Sequence, residues 1–266
     1  MNLDLKGRTA IVTGGSRGIG KAIARQLAQE GVDVALVARD KQANEASALE
    51  LKEAANQRVL AFQADTGDDQ SVMAMIDGVM TNFGRIDILV NAAAKPAGQS
   101  KPPQLAEITN EDFWSDMNVK VLGYLRVARA VVPHMKRQGF GRIINISGLG
   151  ARLTGSIIGS MRNVSVVAMT KNLADELSGS GINATCVHPG LTRTEKTAGV
   201  IMSQSKALGI TEEEVEQRLA GNTLLGRLIT ADEVAYAVTF LASPKSIGIN
   251  GDVIALAGGM RGSIYY

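Results

Sequence analysis

The residues best suited to chemistry lie early, in T-G-G-S-R-G-I-G over Thr13–Gly20. Glycines at this spacing let a chain turn tightly and bring backbone N–H groups against a phosphate. Gly14 can take positive φ at the turn, Gly18 admits a pyrophosphate, and Gly20 allows close packing. The helix that follows would point its unpaired N–H groups at the anion. Gly14, Ser16, Arg17, Gly18, Ile19 and Gly20 are therefore expected to bind a dinucleotide; the plainer alternative is an ordinary tight turn. An NAD site of this kind usually carries an acid at the end of the second strand for the ribose 2′-hydroxyl. Here that place reads V-A-R-D, Val37–Asp40. Arg39 and Arg17 suit a 2′-phosphate through forked, charge-assisted hydrogen bonds, so NADP(H) is preferred over NAD(H). Two alternatives stand beside this: Arg39 as an exposed strand-end arginine, and Asp40 as the ribose partner.

Such a turn works only between a strand and a helix, and the patterning supplies both. Short β-branched runs at Thr9–Thr13, Asp33–Val37, Val59–Gln63, Asp87–Val90, Arg142–Ile146, Ile182–His188 and Asp252–Ala255 predict strands. Helical segments are expected over about 19–30, 71–83, 111–138, 160–178 and 231–242. The alternation predicts one doubly wound Rossmann-type α/β domain spanning 1–266, a sheet of about seven parallel strands with helices on both faces. Lys95–Gln104 and about Leu191–Ile229 read as loop or lid insertions after strand ends, where open α/β sheets place ligands. Thr211 followed by three glutamates reads as a capped helix start.

Composition sets the outer limits. Hydrophobic residues make up 45% of the 266, enough for a sizeable core around one sheet, and a formal net charge of +2 offers no field suited to nucleic acid or an anionic membrane. A small-molecule substrate is the expected partner. One cysteine, Cys186, excludes an internal disulfide framework and fits a reducing, cytoplasmic compartment. Neither a signal peptide nor a membrane span is expected, and no metal site, since His134 and His188 lack a third ligand pattern.

These residues, taken with A-D-T (Ala64–Thr66), N-A-A-A (Asn91–Ala94), I-N-I-S (Ile144–Ser147) and H-P-G-L-T-R-T (His188–Thr194), resemble the short-chain dehydrogenase/reductase superfamily over nearly the whole chain. The resemblance implies that Asp65 and Thr66 meet the adenine end, that Asn91 steadies the central sheet beside Ala92 and Ala93, and that Pro189, Gly190, Thr192 and Thr194 contact the nicotinamide. It also implies a homodimer or homotetramer, to which the C-terminal Gly262–Tyr266 could contribute.

The family ordinarily works with Asn, Ser, Tyr and Lys. Ser147 matches the serine, but Ser147–Thr170 contains no Tyr and no Lys. Counting back from M-T-K-N-L-A-D-E-L (Met169–Leu177) puts the tyrosine position at Gly159 and the lysine position at Asn163. A forward count from Ser147 gives Ser160 and Val164. The backward count is preferred, because a one-residue change inside a helix turns its downstream face by about 100°. Aligning Val119–Met135 puts Lys120 where the asparagine is expected, with Asn118 two residues early. Lysine and asparagine would thus have exchanged walls. Lysine's reference pKa of ~10.4 lies near tyrosine's ~10 and can fall to about 7 or 8 through burial or neighbouring cations, so Lys120 is the expected proton donor. Ser147 would polarise the reacting group and Asn163 help hold the ribose. Arg162 would orient a substrate anion, and Tyr124, one turn from Lys120, is either a second phenol or core. The blander reading of Lys120 is an exposed helix lysine. Function reads as an NADP(H)-dependent oxidoreductase for a carbonyl, hydroxyl or enone; the alternative is a non-catalytic NADP(H)-binding sensor or partner subunit.

Overall fold

The computed structural model describes residues 2–94, 102–221 and 223–262. Seven parallel strands form one sheet in the order β3-β2-β1-β4-β5-β6-β9: β1 (Thr9–Thr13), β2 (Asp33–Ala38), β3 (Val59–Gln63), β4 (Ile88–Asn91), β5 (Gly141–Ile146), β6 (Ile182–Pro189) and β9 (Val253–Leu256). The expected doubly wound α/β layer is therefore present, with the expected number of strands.

Alternation along each strand divides the core in two. Ala10 and Val12 face one layer, with helices α1 (Gly18–Gln29), α2 (Lys41–Ala55) and α9 (Ala231–Ala242). Ile11 faces the other, with α3 (Asp69–Phe83), α5 (Gly123–Gln138) and α6 (Ile157–Glu176). Both faces of β1 are buried, which is why it reads as an unbroken apolar run rather than as an alternating one.

Three elements differ from the sequence expectation. Helix α2 was not anticipated: its buried face is only Asn44, Ser47, Ala48 and Leu51, too polar to register as an apolar stripe. The single helix expected over 111–138 is broken into α4 (Asn110–Met117), five residues of π-helix (Asn118–Leu122) and α5. The lid-like segment is ordered as β7 (Thr192–Arg193), α7 (Glu195–Leu208), α8 (Glu212–Ala220) and β8 (Ile229–Thr230). Thr211 caps α8 by accepting from the Glu214 N–H at 3.1 Å, as its sequence suggests. Most of the Lys95–Gln104 insertion, residues 95–101, and the tail beyond Gly262 lie outside the described residues. Among the described residues no helix is long and apolar enough to cross a membrane.

Candidate active site

Strand order reverses between β1 and β4, and the carboxyl ends of the strands open there into a cavity of about 640 Å³. Gly14, Ser16, Arg17, Ile19, Gly20, Arg39, Thr66, Ala92, Ala93, Pro189, Gly190, Thr192 and Thr194 line it. Three residues expected at the dinucleotide do not. Asn91 is fully buried and donates from Nδ2 to Asn145 Oδ1 at 3.0 Å, joining β4 to β5. Asp65 is exposed, and its carboxylate accepts the Gly67 N–H at 2.8 Å within its own loop. Gly18 contributes no wall, but its N–H is aimed at an anion of the protein's own: the Glu195 carboxylate, at 3.1 and 3.4 Å.

The shape of the turn explains its glycines. Gly14 has φ +67°, and a Cβ there would press on the Ala92 carbonyl at 2.8 Å. A Cβ on Gly20 would lie inside van der Waals contact of the Gly14 carbonyl, so Gly20 packs against the turn itself rather than between helix and sheet. Arg17 immediately precedes α1, and among the described residues neither its guanidinium nor that of Arg39 is paired with a carboxylate. Asp40 lines the cavity, but its carboxylate accepts the Ala43 N–H at 3.0 Å and caps α2. Lys196, in the first turn of α7, adds a cation that sequence reading missed. Burial, and then Arg17, hold its amine below the usual lysine range.

At the other end, Ser147 follows the last residue of β5 and donates its hydroxyl to the Asn163 carbonyl at 3.0 Å. Lys120 projects from the π-helical turn to the same place. Its Nζ donates to the Ser147 carbonyl at 2.8 Å and to Asn163 Oδ1 at 3.1 Å, and the residue is 4% exposed. The exposed-lysine reading is overturned. One extra residue in the turn rotates the helix relative to its flanks, and such bulges recur where a side chain must be re-aimed. Burial, followed by the Arg162 charge, pulls the Lys120 amine down to about 7. Lysine and asparagine have thus met across the two helices.

Asn163 does not line the cavity. Its amide oxygen is occupied by Lys120 while its nitrogen packs on Gly148 and Gly150, which corrects the expectation that it holds a ribose. Of the two residues the counts offered, Asn163 is buried against Lys120, whereas Val164 is 49% exposed. Ser160 turns to the Leu153 carbonyl, and a Cβ on Gly159 would meet Ser156 Oγ at 2.8 Å. Arg162 is no anion receptor, because Nη1 is bound to both Asp116 carboxylate oxygens, at 2.6 and 2.8 Å, away from the cavity lining. Tyr124 is core: its hydroxyl donates to the Ile146 carbonyl at 2.9 Å and burial pushes its pKa up. Burial likewise pushes the Cys186 thiol up to about 12, and pulls His188, which accepts the Gly148 N–H at 3.3 Å, down to about 4. Among the described residues no group of three or more His, Cys, Asp or Glu could hold a metal.

A family model described as enoyl-(acyl carrier protein) reductase matches residues 14–261, nearly the whole chain and every strand after β1. This chain belongs to the short-chain dehydrogenase/reductase family. It is 32% identical over 251 residues to the short-chain reductase protein NovJ of Streptomyces niveus, covering 94% of this chain and 92% of that one. The 3-oxoacyl-(acyl-carrier-protein) reductase FabG of Vibrio cholerae is 32% identical over 269 residues, 97% and 99% of the two chains. The crystal structure of L-sorbose reductase from Gluconobacter frateurii, complexed with NADPH and L-sorbose, superposes with a TM-score of 0.92 at 30% identity, covering 99% and 100%. Membership makes this protein an NAD(P)-dependent oxidoreductase of the short-chain dehydrogenase/reductase type, and it favours the enzyme over the non-catalytic alternative.

Proposed function

We propose that this protein is an NADP(H)-dependent reductase of small carbonyl compounds or enones in which Lys120 does the work of the family's tyrosine. The observation that carries this reading is the Lys120 amine, buried in the cavity wall between the Ser147 carbonyl and Asn163. Residues 147–170 hold no phenol and no amine, and Lys120, held at about 7 in the cavity wall, can exchange a proton near neutral pH. Two of its three ammonium protons are bound to Ser147 and Asn163, leaving the third for a substrate oxygen. Ser147 has one hydroxyl proton, committed here to the Asn163 carbonyl; to polarise a substrate it must release that bond.

The cavity fits the cofactor. The Gly18 N–H donates to the Glu195 carboxylate at 3.1 Å, which supports an anion site at the phosphate turn, and Gly14 and Gly20 let the turn close on itself where a Cβ would strike backbone. The turn and Lys196 would hold the pyrophosphate, Arg17 and Arg39 a 2′-phosphate, and Pro189–Thr194 the nicotinamide end. When bound, the nicotinamide supplies the hydride. The preference for NADP(H) rests on two guanidiniums that have no carboxylate partner among the described residues and on an Asp40 engaged in capping. The relative solved with NADPH is consistent with it.

Isothermal titration with NADPH and NADH tests the cofactor. Arg39→Ala should weaken NADPH by roughly 10- to 100-fold, the value of one charge-assisted phosphate contact, and leave NADH nearly unchanged. Equal losses for both cofactors would reject the 2′-phosphate site. We further propose a single domain with a homo-oligomeric state, supported by the exposed apolar residues Trp114, Leu122, Leu125, Ile157, Met161 and Val164 on α4, α6 and the π–α5 junction.

A further inference from the structure

Lys120 is not the only polar group joining the α4–π segment to α6. Asp116 lies four residues before Lys120, and Arg162 immediately precedes Asn163. The two helices are therefore tied by adjacent bridges, Asp116 to Arg162 and Lys120 to Asn163. The first is nearly enclosed, with side chains 8% and 18% exposed, and it lies outside the cavity lining. Arg162 Nε is buried without a hydrogen-bond partner, so the guanidinium charge is only partly satisfied by the carboxylate. A guanidinium cannot give up its proton, which makes Arg162 a permanent cation beside a group that can.

We propose that Asp116 and Arg162 are positioning residues for Lys120: the pair holds the α4–π segment at the distance where the amine reaches Asn163, and presents a fixed positive charge to it. The electrostatics agree in sign, since Arg162 favours the neutral amine and Asp116 opposes it. Cys186 and His188 from β6 also face Lys120, with Cys186 in turn acting on Tyr124 of α5 and Arg152 acting on His188 from the turn after β5. Burial holds the thiol and phenol protonated and the imidazole neutral near pH 7. The charges that act on Lys120 there are therefore those of Arg162 and Asp116. This inference rests on the reading of Lys120 as the proton donor.

Lysine labelled with 13C at Cε and 15N at Nζ, with the Lys120 signal assigned by Lys120→Arg, reports its ionisation by NMR without any substrate. Arg162→Met should raise the Lys120 midpoint by about one pH unit or more, and Asp116→Asn should lower it by roughly half a unit or more. Arg162→Lys, keeping a cation, should stay near the wild type. Opposite movements are the signature of a charge acting on the amine. If the pair only braced the helices, both variants would let water in and move the midpoint upward together, towards ~10.4. That outcome, or no movement in either, would overturn the proposal. Asp116→Asn is isosteric and settles the sign alone if Arg162→Met does not fold. The midpoint is read independently of turnover, so opposite movements with unchanged turnover in Lys120→Ala would sustain this inference and reject the proton-donor reading.

Discussion

At the scale of single residues, Lys120 is held by competing terms. Enclosure disfavours its charge, while two carbonyl acceptors and Asp116 favour it. With a folded pKa of about 7 against lysine's ordinary 10.5, the unfolded chain binds more protons than the folded one between those pH values. Folding stability from this group therefore rises with pH through that window, and the cost is fully present below pH 7. Lys120→Met, which removes the titration, should gain on the wild type by up to about 4 kcal/mol as pH falls from 10 to 7, an upper bound from the size of the shift. Denaturant unfolding of both proteins at several pH values measures the difference; a difference independent of pH would contradict the assignment. Ser147, Lys120 and Asn163 were legible as individual residues because no Tyr or Lys intervenes between Ser147 and Thr170. Asp116 was not, although a carboxylate four residues before a suspected buried lysine is a signal that could have exposed it.

Between elements, the contact that matters is α7 against the start of α1. Glu195 opens α7, and its carboxylate satisfies the Gly18 N–H, an orphan donor of the helix N-terminus. That N–H is one the proposed pyrophosphate site would use, so on that reading Glu195 would compete with the cofactor. Glu195→Gln keeps the shape, weakens the anion and should tighten NADPH binding by roughly two- to fivefold, the value of an exposed charge at a helix end. Weaker binding by isothermal titration would show that Glu195 assists the cofactor instead. The elements themselves were readable where a strand was apolar throughout or a cap was explicit, as at β1 and Thr211. They were not where burial is polar: α2 hides Asn44 and Ser47, and α6 hides Arg162, Asn163 and Thr170. The π-helical turn at 118–122 has no periodicity of its own to announce it, because it exists to re-aim Lys120 towards a partner forty-three residues away.

Taken whole, the molecule is a rigid parallel sheet with a cavity at its switch point, flanked on one side by the helices after β7. Thr197, Val200, Gln204 and Leu219 of that flank face the cavity, so a bound cofactor would share a boundary with it. Ligand that binds only the folded state stabilises it by mass action, about 2.7 kcal/mol at one hundred times Kd. NADPH at that excess should raise Tm by roughly 5–10 °C and slow hydrogen exchange in α7 as well as at the phosphate turn. Protection confined to the turn would mean that the α7 flank does not close over the cofactor. The doubly wound sheet of seven strands was accessible from alternation, and Pro189–Thr194 of the wall after β6 from motif, whereas Lys196 and Gln204 were not: they belong to the cavity only through the tertiary path of β7 and α7.

In the proposed reaction Lys120 delivers the proton while NADPH supplies the hydride. Its most direct test is NADPH oxidation by wild type and Lys120→Ala over a panel of ketones, oxoacyl thioesters and enones, L-sorbose included, with cofactor affinity measured in parallel. The account predicts wild-type kcat/KM falling as pH rises through about 7, where the amine loses its proton. In Lys120→Ala, kcat should drop by about 10²- to 10⁴-fold, the usual worth of a general acid, with NADPH affinity little changed. Turnover of the same substrate that survives Lys120→Ala undiminished, with the same pH profile, would contradict it.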